Sequence, residues 1–70
     1  MPTALIVDDM AIVRTVLGRI AGAAGFAVIE ASDEPSTLRA YRAYTPDVVL
    51  LDLNLGSASG LDVLRALRAL

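Results

Sequence analysis

The chain has no cysteine, no histidine, no tryptophan and no lysine, and all six of its basic side chains are arginine. Without cysteine there are no disulfides and no thiolate metal sites. Without histidine there are no imidazole ligands and no ordinary proton carrier near neutral pH. Aromatic residues are sparse, only Phe26, Tyr41 and Tyr44, so any core has to be aliphatic. There is no basic run, and the formal net charge is −2, which gives no electrostatic reason to expect contact with DNA or RNA. Uninterrupted apolar runs fall far short of the about 20 residues that cross a membrane. The opening Met1-Pro2-Thr3-Ala4 also lacks the charged head and apolar stretch of a secretory signal. The expectation is a soluble, cytoplasmic protein with no membrane contact.

What is present is a generous aliphatic content, 56% of 70 residues being hydrophobic. A chain this short buries only about 60% of its unfolded surface, so a metal, a staple or a partner is expected to support it. Thr3 to Val7 is short, apolar and bounded by Pro2 and an Asp pair, the mark of a buried strand. Met10 to Ala24 follows with Val13, Val16, Leu17, Ile20, Ala21 and Ala24 at helical spacing. Arg14, Thr15 and Arg19 are expected on its opposite face, with Asp9 or a neighbour as cap and Gly25 as terminator. Gly18 and Gly22 lie four apart in this helix, a spacing that suits close packing on a sheet or, as the alternative, a helix-pairing face.

Phe26 to Ala31 reads as a second strand. A helix then starts at Pro35, capped by Asp33 or Glu34, and runs to about Ala43, burying Leu38, Tyr41 and Ala40. Tyr44-Thr45-Pro46 ends it, because a residue before proline avoids the helical region. Asp47 to Leu53 is the third strand and Asn54 to Ala58 a loop. Ser59 and Asp62 have capping-box spacing, and Leu61, Leu64, Leu67 and Leu70 mark a third helix. That helix reaches Leu70 without a stop signal, so the expectation is a boundary set by truncation rather than a native end. The whole reads as one α/β unit over residues 1–70, alternating three strands with three helices.

The chemistry lies in Asp8, Asp9 and Asp52. Strands buried on both faces belong to parallel sheets, and carboxylates placed just after them gather at the sheet's C-terminal edge. With strand order 2-1-3 the first and third strands are neighbours and a crevice opens between their ends. Three like charges there call for a hard divalent cation such as Mg²⁺ or Mn²⁺, which takes oxygen ligands and retains water. An Asp in that setting can act as a nucleophile toward a phosphoryl group. Asp33, Glu34, Asp47 and Asp62 are expected to be solvated or capping instead.

These residues resemble the receiver domain of two-component response regulators. The resemblance rests on Leu5-Ile6-Val7-Asp8-Asp9, Val13-Arg14, Gly25 to Ala31, Pro46 to Leu55, and Gly60-Leu61-Asp62. It implies a three-layer flavodoxin-like fold and phosphorylation of Asp52 by a histidine kinase or histidine phosphotransfer protein. It also implies Mg²⁺ held by Asp9 and Asp52, by Asp8 through water, and by the backbone carbonyl of Asn54. Receivers look like five strand–helix repeats, and this chain carries the first three. Their later part brings a Ser or Thr and a Lys that contact the phosphoryl group, and this chain supplies neither. Phosphorylation and dephosphorylation are therefore expected to be impaired. Gly56 stands where the family commonly has Pro, which is expected to loosen that loop.

Two other readings compete. A haloacid-dehalogenase-like phosphohydrolase also uses an Asp after a strand, but it needs Asp-x-Asp, and position 54 is Asn. A half-domain that assembles without signalling is the other. The third strand would be an edge here, and a flat apolar edge templates pairing with another chain. The expectation is a second copy paired there about a two-fold axis, or docking on a missing C-terminal half.

Overall fold

The computed structural model describes residues 1–55 and 58–70. Strand β1 (Thr3–Val7) leads into helix α1 (Ala11–Ala23), then β2 (Ala27–Ala31), α2 (Glu34–Tyr44), β3 (Val48–Leu51) and α3 (Gly60–Arg68). β1 runs parallel to both neighbours, with Leu5 beside Ile29 of β2 and beside Val49 of β3, so the order is 2-1-3 as expected. A two-residue antiparallel pair, Asn54–Leu55 with Ala58–Ser59, stands where the sequence suggested only loop. It can be designated β4 and β5. Gly56 and Ser57, and with them the expected loosening at Gly56, lie outside the described residues. Among the described residues no helix is long and apolar enough to cross a membrane.

Alternation along β1 sends side chains to two cores. Leu5 and Val7 join Ala31, Leu55, Val63 and Leu67 on the side covered by α2 and α3. Ala4 and Ile6 join Ala21, with Leu17, Phe26 and Val28 packed around them, on the α1 side. Leu5, Ile6 and Val7 are fully buried, each contributing about 1.5–3 kcal/mol on transfer from water. The result is the expected three-layer arrangement.

Each helix end has a local cause. At the end of α1 the Phe26 N–H donates to Ala21 O and the Gly25 N–H to Gly22 O, both at 3.0 Å, with Gly25 at φ +96°. This is the paired closure that a left-handed residue permits. At α2, Asp33 accepts from the Ser36 N–H at 2.8 Å while Ser36 Oγ accepts from the Asp33 N–H at 3.2 Å. Hydrogen bonding from Ser36, through its hydroxyl and then its backbone N–H, lowers the Asp33 carboxyl below its ordinary value. Thr37, overlooked in the sequence, is fully buried and donates to Asp33 O at 2.6 Å. At α3, Ser59 accepts from the Leu61 N–H at 3.2 Å, and Asp62 turns to Arg65 rather than closing a capping box.

Two helix faces differ from the expected ones. α1 packs on β1 and β2, so Ile12, Val16 and Ile20 project into solvent while Arg14 turns inward to become half-buried. Gly18 faces the sheet, where an added Cβ would meet Val28 Cγ1 at an ordinary 3.4 Å; Gly22 faces open space. On α3 the buried residues are Gly60, Val63 and Leu67, whereas Leu61 and Leu64 are exposed. A strict three-residue spacing rotates backward by about 60° per step on a helix of 3.6 residues per turn, so the Leu series cannot share one face.

Candidate functional site

Asp8 is fixed on every side. Its N–H donates to Ala31 O at 3.2 Å, its Oδ1 accepts from the Met10 N–H at 2.9 Å, and its carbonyl accepts from Arg14 Nη1 at 2.7 Å. Only 7% of its surface is exposed. The sequence offers Asp9 or a neighbour as the cap of α1. The first non-helical residue is Met10, which makes no side-chain cap, and it is Asp8 that takes the Met10 N–H. Asp9 is left exposed at the mouth of the crevice.

Asp52 follows β3, and its N–H donates to Val7 O at 2.9 Å, which carries the β1–β3 ladder up to the carboxylates. Its Oδ1 accepts from the Asn54 N–H at 3.1 Å. Asn54 itself is exposed and paired with Ser59 across β4 and β5. Behind this turn the start of α3 comes in close: the Gly60 N–H donates to Leu53 O at 2.9 Å. A Cβ on Gly60 would overlap the Asp52 carbonyl oxygen and stand 2.6 Å from Leu53 Cα. Sequence reasoning noted Gly60 only as part of a motif. The signal available was a glycine at the first helical position behind a serine cap, where helix propensity alone disfavours it.

Ligand oxygens of Asp8, Asp9 and Asp52 all lie within 4.8 Å of one another, and among the described residues this is the one such group of three. Asp33 caps α2, Asp62 pairs with Arg65, and Asp47 Oδ2 accepts from the Thr3 N–H at 2.7 Å, so these remain apart as anticipated. A crevice of about 260 Å³ beside Asp8 and Asp52 is lined by Val7, Leu17, Leu50 and Leu51. Like charges at about 5 Å repel by about 1 kcal/mol per pair even in water. Oxygen-only donors, three formal charges and an open solvent side suit a hard cation of the Mg²⁺ type.

The profile of the response regulator receiver domain matches residues 4–70. The chain belongs to this family. Over 68 residues, 97% of this chain, it is 41% identical to the transcriptional regulatory protein KdpE of Mycobacterium tuberculosis, but it spans only 30% of that protein. The CheY-like receiver domain from Methylobacillus flagellatus superposes with a TM-score of 0.94 at 31% identity, covering all of this chain and 59% of that one. A Burkholderia pseudomallei response regulator, solved with a phosphorylated aspartic acid, a calcium ion and citrate, gives a TM-score of 0.91 at 28% identity. The match covers 99% of this chain and 41% of that protein. The flavodoxin-like fold and the receiver assignment made from the residues are thus borne out.

Proposed function

We propose that residues 1–70 form part of a receiver domain that accepts a phosphoryl group on Asp52. In this reading Mg²⁺ or Mn²⁺ is held by Asp8, Asp9, Asp52 and the backbone carbonyl of Asn54. The observation that carries it is the convergence of the three carboxylates, within 4.8 Å, at the C-terminal ends of two adjacent parallel strands. The phosphorylated aspartic acid and the calcium ion of the Burkholderia relative support it. When bound, the cation offsets the charge of the carboxylates and of the incoming phosphoryl oxygens.

Asp52 does the bond chemistry. A carboxylate oxygen attacks phosphorus, the bond from phosphorus to the donor breaks, and the leaving group departs with the electron pair. An acyl phosphate remains on Asp52. The donor is the phosphohistidine of a kinase or phosphotransfer protein in the cytoplasm, and the chain is an acceptor rather than a turnover enzyme. The 70 residues contain no lysine, and one oriented donor at an enzyme site is worth about 10²–10³ in rate. Phosphorylation of these residues alone is therefore expected to be slow. The phosphohydrolase reading lacks its second carboxylate, since position 54 is Asn.

The test is incubation with Mg²⁺ and acetyl phosphate followed by intact mass. An added phosphate that Asp52→Asn abolishes is expected. No adduct in a chain that demonstrably binds Mg²⁺, even after incubation prolonged to allow for the missing lysine, favours the assembly reading over the acceptor one.

A second reading, self-association, is supported by β3. It ends the strand order 2-1-3, and its Val48 and Leu50 side chains, on the α1 face, are 38% and 40% exposed. Pairing of two copies along β3 would satisfy the free N–H and C=O groups of that edge and set a second strand beside these side chains. Light scattering is expected to report twice the 7.3 kDa chain mass; a folded monomer at high concentration rules this pairing out.

A further inference from the structure

Arg14 has no role in the chemistry described above, yet among the described residues it is the one cation drawn into the base of the acidic turn. Its side chain is only 19% exposed although it sits on a helix whose neighbouring Ile12 and Val16 face solvent. Nη1 donates to the Asp8 carbonyl at 2.7 Å, and Nε donates to Glu30 Oε1 at 3.2 Å. One guanidinium thereby ties α1 to the end of β1 and to β2. The carbonyl it holds belongs to the peptide linking Asp8 to Asp9, so the orientation of that peptide sets where both carboxylates stand.

We infer that Arg14 is a positioning residue for the cation site, locking the Asp8–Asp9 peptide so that the two carboxylates are presented together toward Asp52. This rests on the reading of the three carboxylates as a cation site. The charge of Arg14 would by itself repel a divalent cation. Pairing with Glu30 offsets that charge and leaves the hydrogen bond to the Asp8 carbonyl, so the fork orients without opposing the ion. Arginine suits this task better than lysine because its planar fork reaches two acceptors in fixed geometry. Groups that orient metal ligands typically change affinity by about 10–100-fold when removed.

The experiment compares wild type, Arg14→Ala, Arg14→Lys and Glu30→Gln, all as the full 70-residue chain. Three quantities are measured: thermal midpoint, the order of the Asp9 amide by NMR relaxation without metal, and Mg²⁺ affinity by calorimetry. Arg14→Ala is expected to loosen the Asp9 amide and weaken Mg²⁺ binding about ten-fold or more. Arg14→Lys is expected to recover part of both, since an ammonium reaches the carbonyl but cannot also hold Glu30 in the same geometry. Glu30→Gln keeps the fork's acceptor and is expected to change affinity only about two-fold. A folded Arg14→Ala protein with wild-type affinity overturns the inference, as does one whose Asp9 amide is unchanged. Should Arg14→Ala fail to fold, wild-type affinity and amide order in Arg14→Lys overturn it. If wild type itself binds no Mg²⁺, the cation-site reading fails, and the lock on the peptide is judged on the Asp9 amide alone.

Discussion

Asp52→Asn is expected to reverse the sign of its effect on stability when Mg²⁺ is added. In the metal-free protein at low ionic strength, three carboxylates lie within 4.8 Å of one another, and removing one charge relieves its repulsion with both neighbours, about 2 kcal/mol in all. The substitution keeps the local turn, because the Asn side-chain oxygen can still accept the Asn54 N–H that Asp52 Oδ1 accepts now. The variant is therefore expected to melt higher than wild type, by about 8–16 °C for a domain of this size. Saturating Mg²⁺ should invert the order. A ligand at 100 times its dissociation constant stabilises by about 2.7 kcal/mol, and the variant, short of one charged ligand, gains far less. Paired thermal melts at low salt, with and without Mg²⁺, read both halves. A variant less stable than wild type in both conditions would mean that Asp52 is a structural turn residue and not a member of a charged cluster.

Gly60→Ala is expected to damage fold and site together. An added Cβ would collide with the Asp52 carbonyl and Leu53 Cα, which are backbone atoms with no rotamer to yield. Either α3 moves out or the turn after β3 moves, and the Gly60 N–H to Leu53 O bond is strained in both cases. Overpacking of this kind costs about 1–3 kcal/mol. The carboxylate of Asp52 rides on the displaced turn, so Mg²⁺ affinity is expected to fall as well. Gly22→Ala is the matched control. Nothing lies within 4 Å of its added Cβ, and alanine is favoured over glycine in a helix by about 0.5–1 kcal/mol. The pair is read by thermal melts and Mg²⁺ titration. Gly60→Ala melting like wild type would show that the close approach of α3 to the Asp52 turn is not a constraint.

These two glycines show what was legible in the sequence and what was not. Both were visible as letters in helices, but only the tertiary approach of α3 to the β3 turn separates them. The alternation of strands and helices followed from short apolar runs ending in carboxylates. The meeting of Asp8, Asp9 and Asp52 followed only given the 2-1-3 order, which goes with the fold that the receiver resemblance implies. That inference is robust because β1 to β3 pairing fixes where their ends lie, with Val7 beside Leu51. Helix faces were less legible. On α1 the apolar residues extend around most of the surface, so periodicity did not select the stripe facing β1 and β2. Arg14 was therefore assigned outward, although its long stem and fork reach back to the Asp8 carbonyl. Buried Thr37 was missed for a related reason. A hydroxyl that donates to the carbonyl one turn back is satisfied locally and can occupy an apolar position at little cost.

The central claim is that two strand ends build one cation site from three carboxylates, and paramagnetic broadening by Mn²⁺ tests it most directly. In an amide NMR titration, substoichiometric Mn²⁺ is expected to broaden Asp8, Asp9, Asp52 and Leu53 first and together, with Mg²⁺ restoring the signals by competition. Broadening that begins instead at Asp33, Glu34 or Asp62, or that spreads evenly over all the acidic residues, would contradict the account.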